Sequence, residues 1–293
     1  MKEGIVLSST CSVCNSEASI RMRLTNDVYY CKKCKLYFAP DVRFNQSYIS
    51  ELDETTRYKA LESLRYNNFS IIIDKLKKIT EKSGQLVGLE VGNGYGWFLD
   101  IAKKNGISCV GIEPEEEMFN FCVSKGHQMV RGFFPDDLVN EDLYDFIIFN
   151  DVLEHIPDIN LVVENCYKRL KDNGYVIVNI PLHTGFFYRI GSVFYKLGIT
   201  TFMNRLWQFN FHSPHFYYFN HKSLKKVFEK NSFSLVDNHK LESIDSTDIK
   251  SRILMDNSLK KYANIISPLI KLSLLIKGIF PEDIGCFYFK KNS

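Results

Sequence analysis

The stretch Leu86-Val-Gly-Leu-Glu-Val-Gly-Asn-Gly-Tyr-Gly96 decides how this chain of 293 residues is interpreted. A short apolar run ends in Glu90, and three alternating glycines follow it, Gly92, Gly94 and Gly96. Glycine adopts positive φ values and leaves no Cβ beside a ligand, so the pattern predicts a buried strand that turns sharply into a helix next to a bound molecule. A dinucleotide-binding loop has the spacing G-x-G-x-x-G, which would put Trp97 in the place of the third glycine, so that class of site is disfavoured.

Further predicted strands follow at regular intervals. Residues 108–113 form a second strand that ends in Glu113, about 20 residues after the glycine loop, where a carboxylate can accept hydrogen bonds from both ribose hydroxyls of a nucleotide. Residues 128–134 form a third strand. The apolar run 144–150 is typical of a central buried strand, and residues 175–180 form a fifth.

The order and spacing of these motifs, with Asn150-Asp-Val-Leu-Glu-His155 after the fourth strand, resemble class I S-adenosylmethionine (SAM) methyltransferases over roughly residues 85–181. The resemblance implies an α/β fold with a Rossmann-like sheet of strand order 3-2-1-4-5-7-6, in which the last strand is antiparallel. Residues 234–236 and 286–290 would be the sixth and seventh strands. It also implies SAM as cofactor, with Phe133 or Phe134 placed to contact adenine. The residues expected to bind SAM are Glu90, Gly92, Gly94, Gly96, Glu113, Pro114, Phe134, Asn150 and Asp151.

Four of the eight cysteines predict a metal site. Cys11 and Cys14 form one C-x2-C pair, and Cys31 and Cys34 form a second pair after sixteen intervening residues, which is zinc-ribbon spacing. Two disulfides are the alternative, and they are disfavoured in a chain without a secretory signal. Four thiolates leave no open coordination position, so we interpret the zinc as structural, supplying most of the folding energy of this segment, typically ~10–16 kcal/mol.

The predicted organisation has three parts. Residues 1–40 form the zinc ribbon, residues 41–84 a linker and capping helices, and residues 85–293 the SAM-binding domain. Within that domain the aromatic segment 182–220 is too long for a simple strand–helix connection, and we interpret it as a substrate lid. Its end leads into a predicted helix capped by Asn220.

Catalytic candidates come from the chemistry of methyl transfer. A hydroxyl acceptor benefits from a general base, and histidine suits neutral pH. Several histidines follow the carboxyl ends of strands or lie in the lid, the ligand edge of such a sheet. The candidates, in order of preference, are His215 and His212, followed by His155.

Three functions follow from these motifs. The first is methylation of a small-molecule acceptor at a sugar or polysaccharide-precursor hydroxyl, because the ribbon-plus-methyltransferase layout resembles enzymes of bacterial surface-polysaccharide modification. The second is an RNA methyltransferase that grips RNA through basic ribbon residues. The third is a non-catalytic, methyltransferase-like binding protein, which the three intact glycines disfavour. The basic ribbon residues are Arg21, Arg23, Lys32, Lys33 and Lys35.

Composition and charge set further limits. The net charge of +3 argues against wholesale wrapping of nucleic acid. No basic segment followed by an apolar one is present at the start, so a cytoplasmic location is expected. Residues 258–280 are apolar with interspersed lysines. They predict either a core helix kinked at Pro268, which we favour, or an interfacial helix that meets a membrane or a lipid-linked substrate.

Overall fold

The computed structural model describes most of the chain. The described residues are 8–42, 54–80, 84–139, 141–209, 211, 213–244, 249–254, 263–264, 267–268, 271 and 280–292, with the backbone alone for 54–60 and 251–253. Most of 258–280 and the candidate base His212 lie outside these ranges. None of the helices within them combines the length and apolar composition that crossing a bilayer demands.

Strands and helices alternate along most of the chain. In chain order the strands are β1 (Ser8–Thr10), β2 (Glu17–Arg23), β3 (Asp27–Cys31), β4 (Leu36–Phe38), β5 (Val87–Val91), β6 (Ser108–Glu113), β7 (Gln128–Arg131), β8 (Tyr144–Asn150), β9 (Leu170–Pro181), β10 (Tyr217–Tyr218), β11 (Phe233–Leu241) and β12 (Ile284–Lys291). The helices are α1 (Glu54–Thr80), α2 (Trp97–Lys104), α3 (Glu116–Ser124), α4 (Ile159–Arg169), α5 (Phe186–Lys196), α6 (Thr201–Leu206), α7 (His221–Lys230) and α8 (Ile249–Leu254), with a 3₁₀ turn at Leu153–His155.

The main sheet has the predicted topology. Its seven strands lie in the order β11-β12-β9-β8-β5-β6-β7, and β12 runs antiparallel to both of its neighbours. The pairs on the other side, from β9 to β7, are parallel. From β5 the chain adds strands toward one edge of the sheet, and from β8 it adds them toward the other, so the strand order reverses between β5 and β8. In open α/β sheets, ligands bind at the carboxyl ends of the strands beside such a switch point.

Alternate side chains of β8 show how the sheet is buried on both faces. Phe146 and Ile148 belong to one apolar core together with residues of α1 and α2, including Phe98. Ile147 and Phe149 belong to the core on the opposite face, which includes residues of α4 and α7. Burial on both faces explains why β8 appears in the sequence as a continuous apolar run.

Several predicted strand boundaries differ from the structure. The third strand, expected over 128–134, is β7 and ends at Arg131. The fifth, β9, begins directly after α4, since Leu170 already pairs with Tyr144 in the sheet. The fifth strand is therefore longer than predicted. Asn220 caps α7 as predicted, since its side chain accepts a hydrogen bond from the Ser223 backbone N–H at 2.9 Å.

The cysteine-bearing segment shares a sheet with the predicted lid. Strands β1 to β4 form an antiparallel sheet, and its fifth strand is β10, in which Tyr217 pairs with Phe38. Cys31 lies in the same continuous buried cluster as Val178 of the main sheet. The predicted domain boundaries stay a prediction, but residues 8–39 and the lid are packed together.

Asn220 joins these two parts, and its replacement should destabilise the protein. Its side chain caps α7 and also donates to the Lys35 carbonyl at 2.6 Å. We expect Asn220→Ala to lower the free energy of unfolding by about 1–3 kcal/mol. Asn220→Asp keeps the cap but loses the amide donor, so it should fall between alanine and wild type in urea denaturation. Equal stability of all three proteins would contradict the two-contact interpretation.

Candidate active site

The glycine loop has the backbone that its sequence predicts. Gly92, Gly94 and Gly96 all have positive φ values, +67°, +52° and +74°. A Cβ at Gly92 would lie 2.7 Å from Val152 Cγ2, so the close approach of that segment requires glycine. At Gly94 the nearest atom to such a Cβ would be Met118 Sδ at 4.0 Å, so this part of the loop faces open space.

That open space is a cavity between α1, the glycine loop and the end of β8. It lies at the carboxyl edge of the sheet, beside the switch point, where the topology predicts a ligand. The residues that line it are Leu61, Arg65, Phe69, Glu90, Gly92, Asn93, Gly94, Tyr95, Trp97, Met118 and Asn150.

A buried carboxylate stands at the inner end of the cavity. Glu90 is 2 % exposed, and its Oε1 accepts a hydrogen bond of 2.9 Å from Asn150 Nδ2. Burial raises the pKa of Glu90 to about 8, and the Asn150 hydrogen bond offsets only part of this effect. The carboxyl group is therefore mostly protonated at neutral pH until a cation pairs with it.

The buried polar atoms at and near Glu90 include three carboxyl or amide oxygens. Within the described residues, Glu90 Oε2, Asn93 Oδ1 and Asn150 Oδ1 are buried without a hydrogen-bond partner. Buried acceptors without partners are costly, so such a group indicates a ligand with several donors. The ammonium group at the methionine end of SAM is a cationic triple donor, and these residues fit it.

Glu113 also lies where the sequence predicts, and it holds the loop in place. Its Oε2 accepts a hydrogen bond from the Gly94 backbone N–H at 2.8 Å, and its Oε1 accepts one from Glu115 N at 3.1 Å. Each carboxylate oxygen retains acceptor capacity for ribose hydroxyls. The structure thus brings Glu113 to the loop, although its role toward the cofactor stays a prediction.

Arg65 of α1 is a site residue that the sequence analysis missed. It lines the cavity and forms an ion pair with Asp151, whose backbone has a positive φ of 53° directly after β8. A guanidinium at this position can bind a carboxylate in a bidentate manner. A single arginine in a helix with many charged residues gives no sequence signal.

Two residues predicted to contact the cofactor, Phe134 and Pro114, lie outside the lining of the cavity. The Phe134 ring is buried against Phe149, 6.1 Å away in an edge-on arrangement, while Phe133 is largely exposed. Pro114 is half-buried beside Glu113. Neither Phe134 nor Pro114 lines the cavity, and their contacts with adenine stay predictions.

Two of the predicted catalytic histidines, His155 and His215, lie next to each other. The ring centroids of His155 and His215 are 4.5 Å apart. Glu154 lies close to both: three possible metal-ligand atoms, one from each of these residues, are within 4.8 Å of one another. His155 is half-buried, whereas His215 is 3 % exposed. A carboxylate and two imidazoles are also donors that divalent transition metals accept.

Burial shifts the pKa values of two members of this cluster toward their uncharged forms. It raises the pKa of Glu154 well above its usual value, and the nearby Asp151 charge adds to the effect. It also lowers the pKa of His215 well below its usual value, with a further contribution from His155. In both groups burial therefore disfavours the charged form.

His155 is held in one tautomer by its neighbours. Its Nδ1 lies 3.0 Å from the Pro214 carbonyl oxygen, which can only accept a hydrogen bond, so Nδ1 carries the proton. Nε2 is then the unprotonated nitrogen of the ring, which is the basic one. His155 and His215 do not line the cavity itself.

The four predicted metal ligands converge. The sulfur atoms of Cys11, Cys14, Cys31 and Cys34 lie within 4.8 Å of one another, and none forms a disulfide. Tetrahedral zinc bound at about 2.3 Å separates its sulfur ligands by about 3.8 Å, so the cluster fits this ion. Both C-x2-C turns end alike, since Asn15 and Lys35 each have a φ of 55°.

Comparison with known proteins agrees with this fold and cavity, which define a class I SAM-dependent methyltransferase domain. Residues 63–238, more than half of the chain, match the family model described as "Methyltransferase domain", and the chain belongs to this family. SAM is accordingly the methyl donor of this family.

Individual relatives are more distant. The chain is 25% identical over 207 residues to the mitochondrial ubiquinone biosynthesis O-methyltransferase of Rattus norvegicus, covering 62% of this chain and 56% of that protein. It is 31% identical over 114 residues to ubiquinone biosynthesis O-methyltransferase of Salmonella newport, covering 35% of this chain and 46% of that protein. The chain thus spans about half the length of the curated relatives it matches.

Among solved structures, a cyclopropane synthase from Mycobacterium tuberculosis is similar to this chain with a TM-score of 0.54 and 11% sequence identity. The similarity covers 75% of this chain and 84% of that one. At this identity it shows the shared fold alone.

The raised pKa of Glu90 leads to a pH-dependent affinity. The free protein must lose a proton from Glu90 to pair with the cofactor ammonium, so S-adenosylhomocysteine (SAH) should bind roughly tenfold more tightly at pH 8 than at pH 6.5. Calorimetry in buffers of different ionisation enthalpy should detect the released proton. Glu90→Gln should abolish this pH dependence, and Glu116→Gln, an exposed carboxyl group elsewhere, should retain it. A flat wild-type profile would contradict the protonation argument.

Proposed function

We propose that this protein transfers the methyl group of SAM to a hydroxyl oxygen of a small-molecule acceptor, and that the acceptor is a sugar or a polysaccharide precursor. O-methylation is supported by the names of the relatives. The sugar assignment rests on the ribbon-plus-methyltransferase layout. A cytoplasmic location belongs to the same proposal.

In this proposal, different residues bind different parts of SAM. Glu90, with the amide oxygens of Asn93 and Asn150, binds the ammonium group of SAM. The Arg65 guanidinium, partly neutralised by Asp151, binds its carboxylate, and Glu113 accepts hydrogen bonds from the ribose hydroxyls. When bound, SAM supplies a methyl group already activated by the sulfonium. The remaining task of the protein is to orient the acceptor oxygen and to remove its proton.

The single observation that carries O-methylation is the tautomer of His155. Because Nδ1 donates to the Pro214 carbonyl, Nε2 can accept the hydroxyl proton as the acceptor oxygen is methylated. The His215 ring lies edge-on against the His155 ring, with Glu154 close to both, so these two residues position the His155 ring. His155 therefore replaces His215 as our preferred base, since His215 is too deeply buried to meet an acceptor.

The acceptor class can be tested with labelled SAM. Purified protein would be incubated with a lysate of its own source organism, followed by separation of small molecules from RNA. Label in a hydroxylated small molecule supports the proposal. Label in RNA that disappears when Arg21, Lys32 and Lys33 are neutralised would establish the RNA alternative, and SAH binding without any transfer would indicate a non-catalytic binding protein.

Replacement of the base should slow the reaction without weakening cofactor binding. We expect His155→Gln to lower kcat by about 10²–10⁴ and to remove the acidic limb of its pH profile. Affinity for SAH, measured by calorimetry, should stay within twofold of wild type. His239→Gln, on β11 at the end of the sheet, serves as the control and should leave both quantities unchanged. Unaltered kcat in His155→Gln would refute its assignment as the base.

We further propose that the four cysteines hold one structural zinc ion. Elemental analysis should find about one zinc per chain, and Cys31→Ser should abolish it and lower the free energy of unfolding by more than about 3 kcal/mol. Cys109→Ser, a cysteine outside the cluster, should keep the zinc. Zinc-free wild-type protein of undiminished stability would contradict a structural metal.

A further inference from the structure

Exposed apolar side chains are concentrated at one turn of the lid. Thirteen large hydrophobic residues are exposed in the described part of the chain, and four of them lie within seven positions at the end of α5 and the turn after it. These are Val193, Phe194, Leu197 and Ile199, exposed by 55%, 38%, 70% and 50%. We call residues 193–201 the α5–α6 tip.

The helices α5 and α6 that flank the tip pack with their opposite side against the rest of the protein. Tyr188, Met203 and Trp207 are buried against Met22 and Val28 of the cysteine-bearing sheet.

Two polar contacts fix the same side. The Arg23 backbone N–H donates to the Tyr195 hydroxyl at 3.0 Å, and the Thr25 backbone N–H donates to Asn204 Oδ1 at 2.9 Å. Phe194 also packs edge-on against Phe202 of α6, with ring centroids 5.9 Å apart. Apolar side chains that stay exposed together, as those of the tip do in the described part of the chain, indicate a contact with a partner.

The charge of the surrounding segment indicates the chemistry of that partner. Residues 173–228 contain no aspartate or glutamate and six lysines or arginines, although the whole chain has a net charge of only +3. Lys196 lies within the tip and Arg189 two turns before it, and both are exposed. Apolar side chains beside cations fit a partner that has an apolar interior and a negatively charged surface, which describes an anionic lipid bilayer.

The size and shape of the tip favour a bilayer over a protein partner. Stable protein interfaces bury about 800 Å² on each side, and they centre on packed pockets. The tip offers four separate side chains on one helical turn and a loop. A bilayer can accept each of them individually, while Lys196 extends to the headgroups.

We propose that the α5–α6 tip docks this protein on the surface of an anionic lipid bilayer. Val193, Phe194, Leu197 and Ile199 insert at the boundary between headgroups and acyl chains, and Lys196 and Arg189 contact lipid phosphates. The helix α5 starts five residues after β9 ends, at the carboxyl edge of the sheet. Docking therefore holds the edge that carries the cavity within roughly 16 Å of the bilayer, the length of α5. This contact does not depend on the identity of the methyl acceptor.

Vesicle co-sedimentation of the full chain tests the proposal. Vesicles of phosphatidylcholine with one quarter phosphatidylglycerol should bind the wild-type protein, and vesicles of phosphatidylcholine alone should bind it at least tenfold less. The double variant Leu197→Ser/Ile199→Ser should lose at least tenfold in affinity for the anionic vesicles. The matched control Val123→Ser/Val139→Ser changes two exposed valines elsewhere and should bind as wild type. SAH affinity should be the same in all of these proteins, which shows that they are folded.

A charge-reversal pair separates the electrostatic contribution. Lys196→Glu should weaken binding to anionic vesicles severalfold. Lys78→Glu, the same change at an exposed position of α1, should not. Equal vesicle binding by the tip variants and their controls would overturn the proposal, because the lipid contact would then lie elsewhere, for example in residues 258–280. Absence of binding to anionic vesicles would overturn it as well. So would a wild-type dimer in sedimentation analysis that the tip variants abolish, because a second copy would then be the partner.

Discussion

The hydrogen bond between Asn150 and Glu90 joins β5 and β8 at the point where the chain order of the sheet reverses. It fixes one oxygen of a buried carboxyl group and leaves the other buried without a partner among the described residues. Burial of this group costs stability, which is visible in its raised pKa. A protein retains such a group when a ligand compensates for it, and the surrounding acceptors indicate a cationic donor. Arg65 lines the same cavity, and Glu113 accepts a hydrogen bond from the Gly94 backbone N–H in the adjoining loop.

The cysteine-bearing sheet is attached to the acceptor side of this site at several points. Asn160 donates to the Ser12 carbonyl at 2.9 Å, and the Tyr217 hydroxyl donates to the Pro157 carbonyl. His183 and Asn220 both contact the Lys35 carbonyl oxygen. The segment that carries His215 is therefore held between the cysteine-bearing sheet and the main sheet. A metal in the ribbon would stabilise this arrangement without touching the acceptor, which is a physical reason for a small sheet to accompany a methyltransferase domain.

Sequence alone predicted the main sheet because its central strands are buried on both faces and therefore appear as uninterrupted apolar runs. It predicted the glycine loop because only glycine tolerates the backbone and the contact with Val152 found at Gly92. It could not predict β10, since a two-residue strand has no periodicity and its partner β4 lies far away in the chain. Arg65 was missed for a related reason. Its role depends on where α1 crosses the sheet, and no local pattern encodes that placement. Similarly, the sequence ranked His215 above His155, because the burial of a histidine in an aromatic segment depends on how that segment packs.

The most direct test of this account is a crystal structure of the protein with bound SAH. The account predicts that the SAH amino nitrogen lies within hydrogen-bonding distance of Glu90 Oε2 and Asn150 Oδ1. Its carboxylate should contact Arg65, and its ribose hydroxyls should contact Glu113. SAH bound in another place, or in this cavity with its amino group directed away from Glu90, would contradict the central claim that a buried carboxylate at the switch point of the sheet recognises the cofactor.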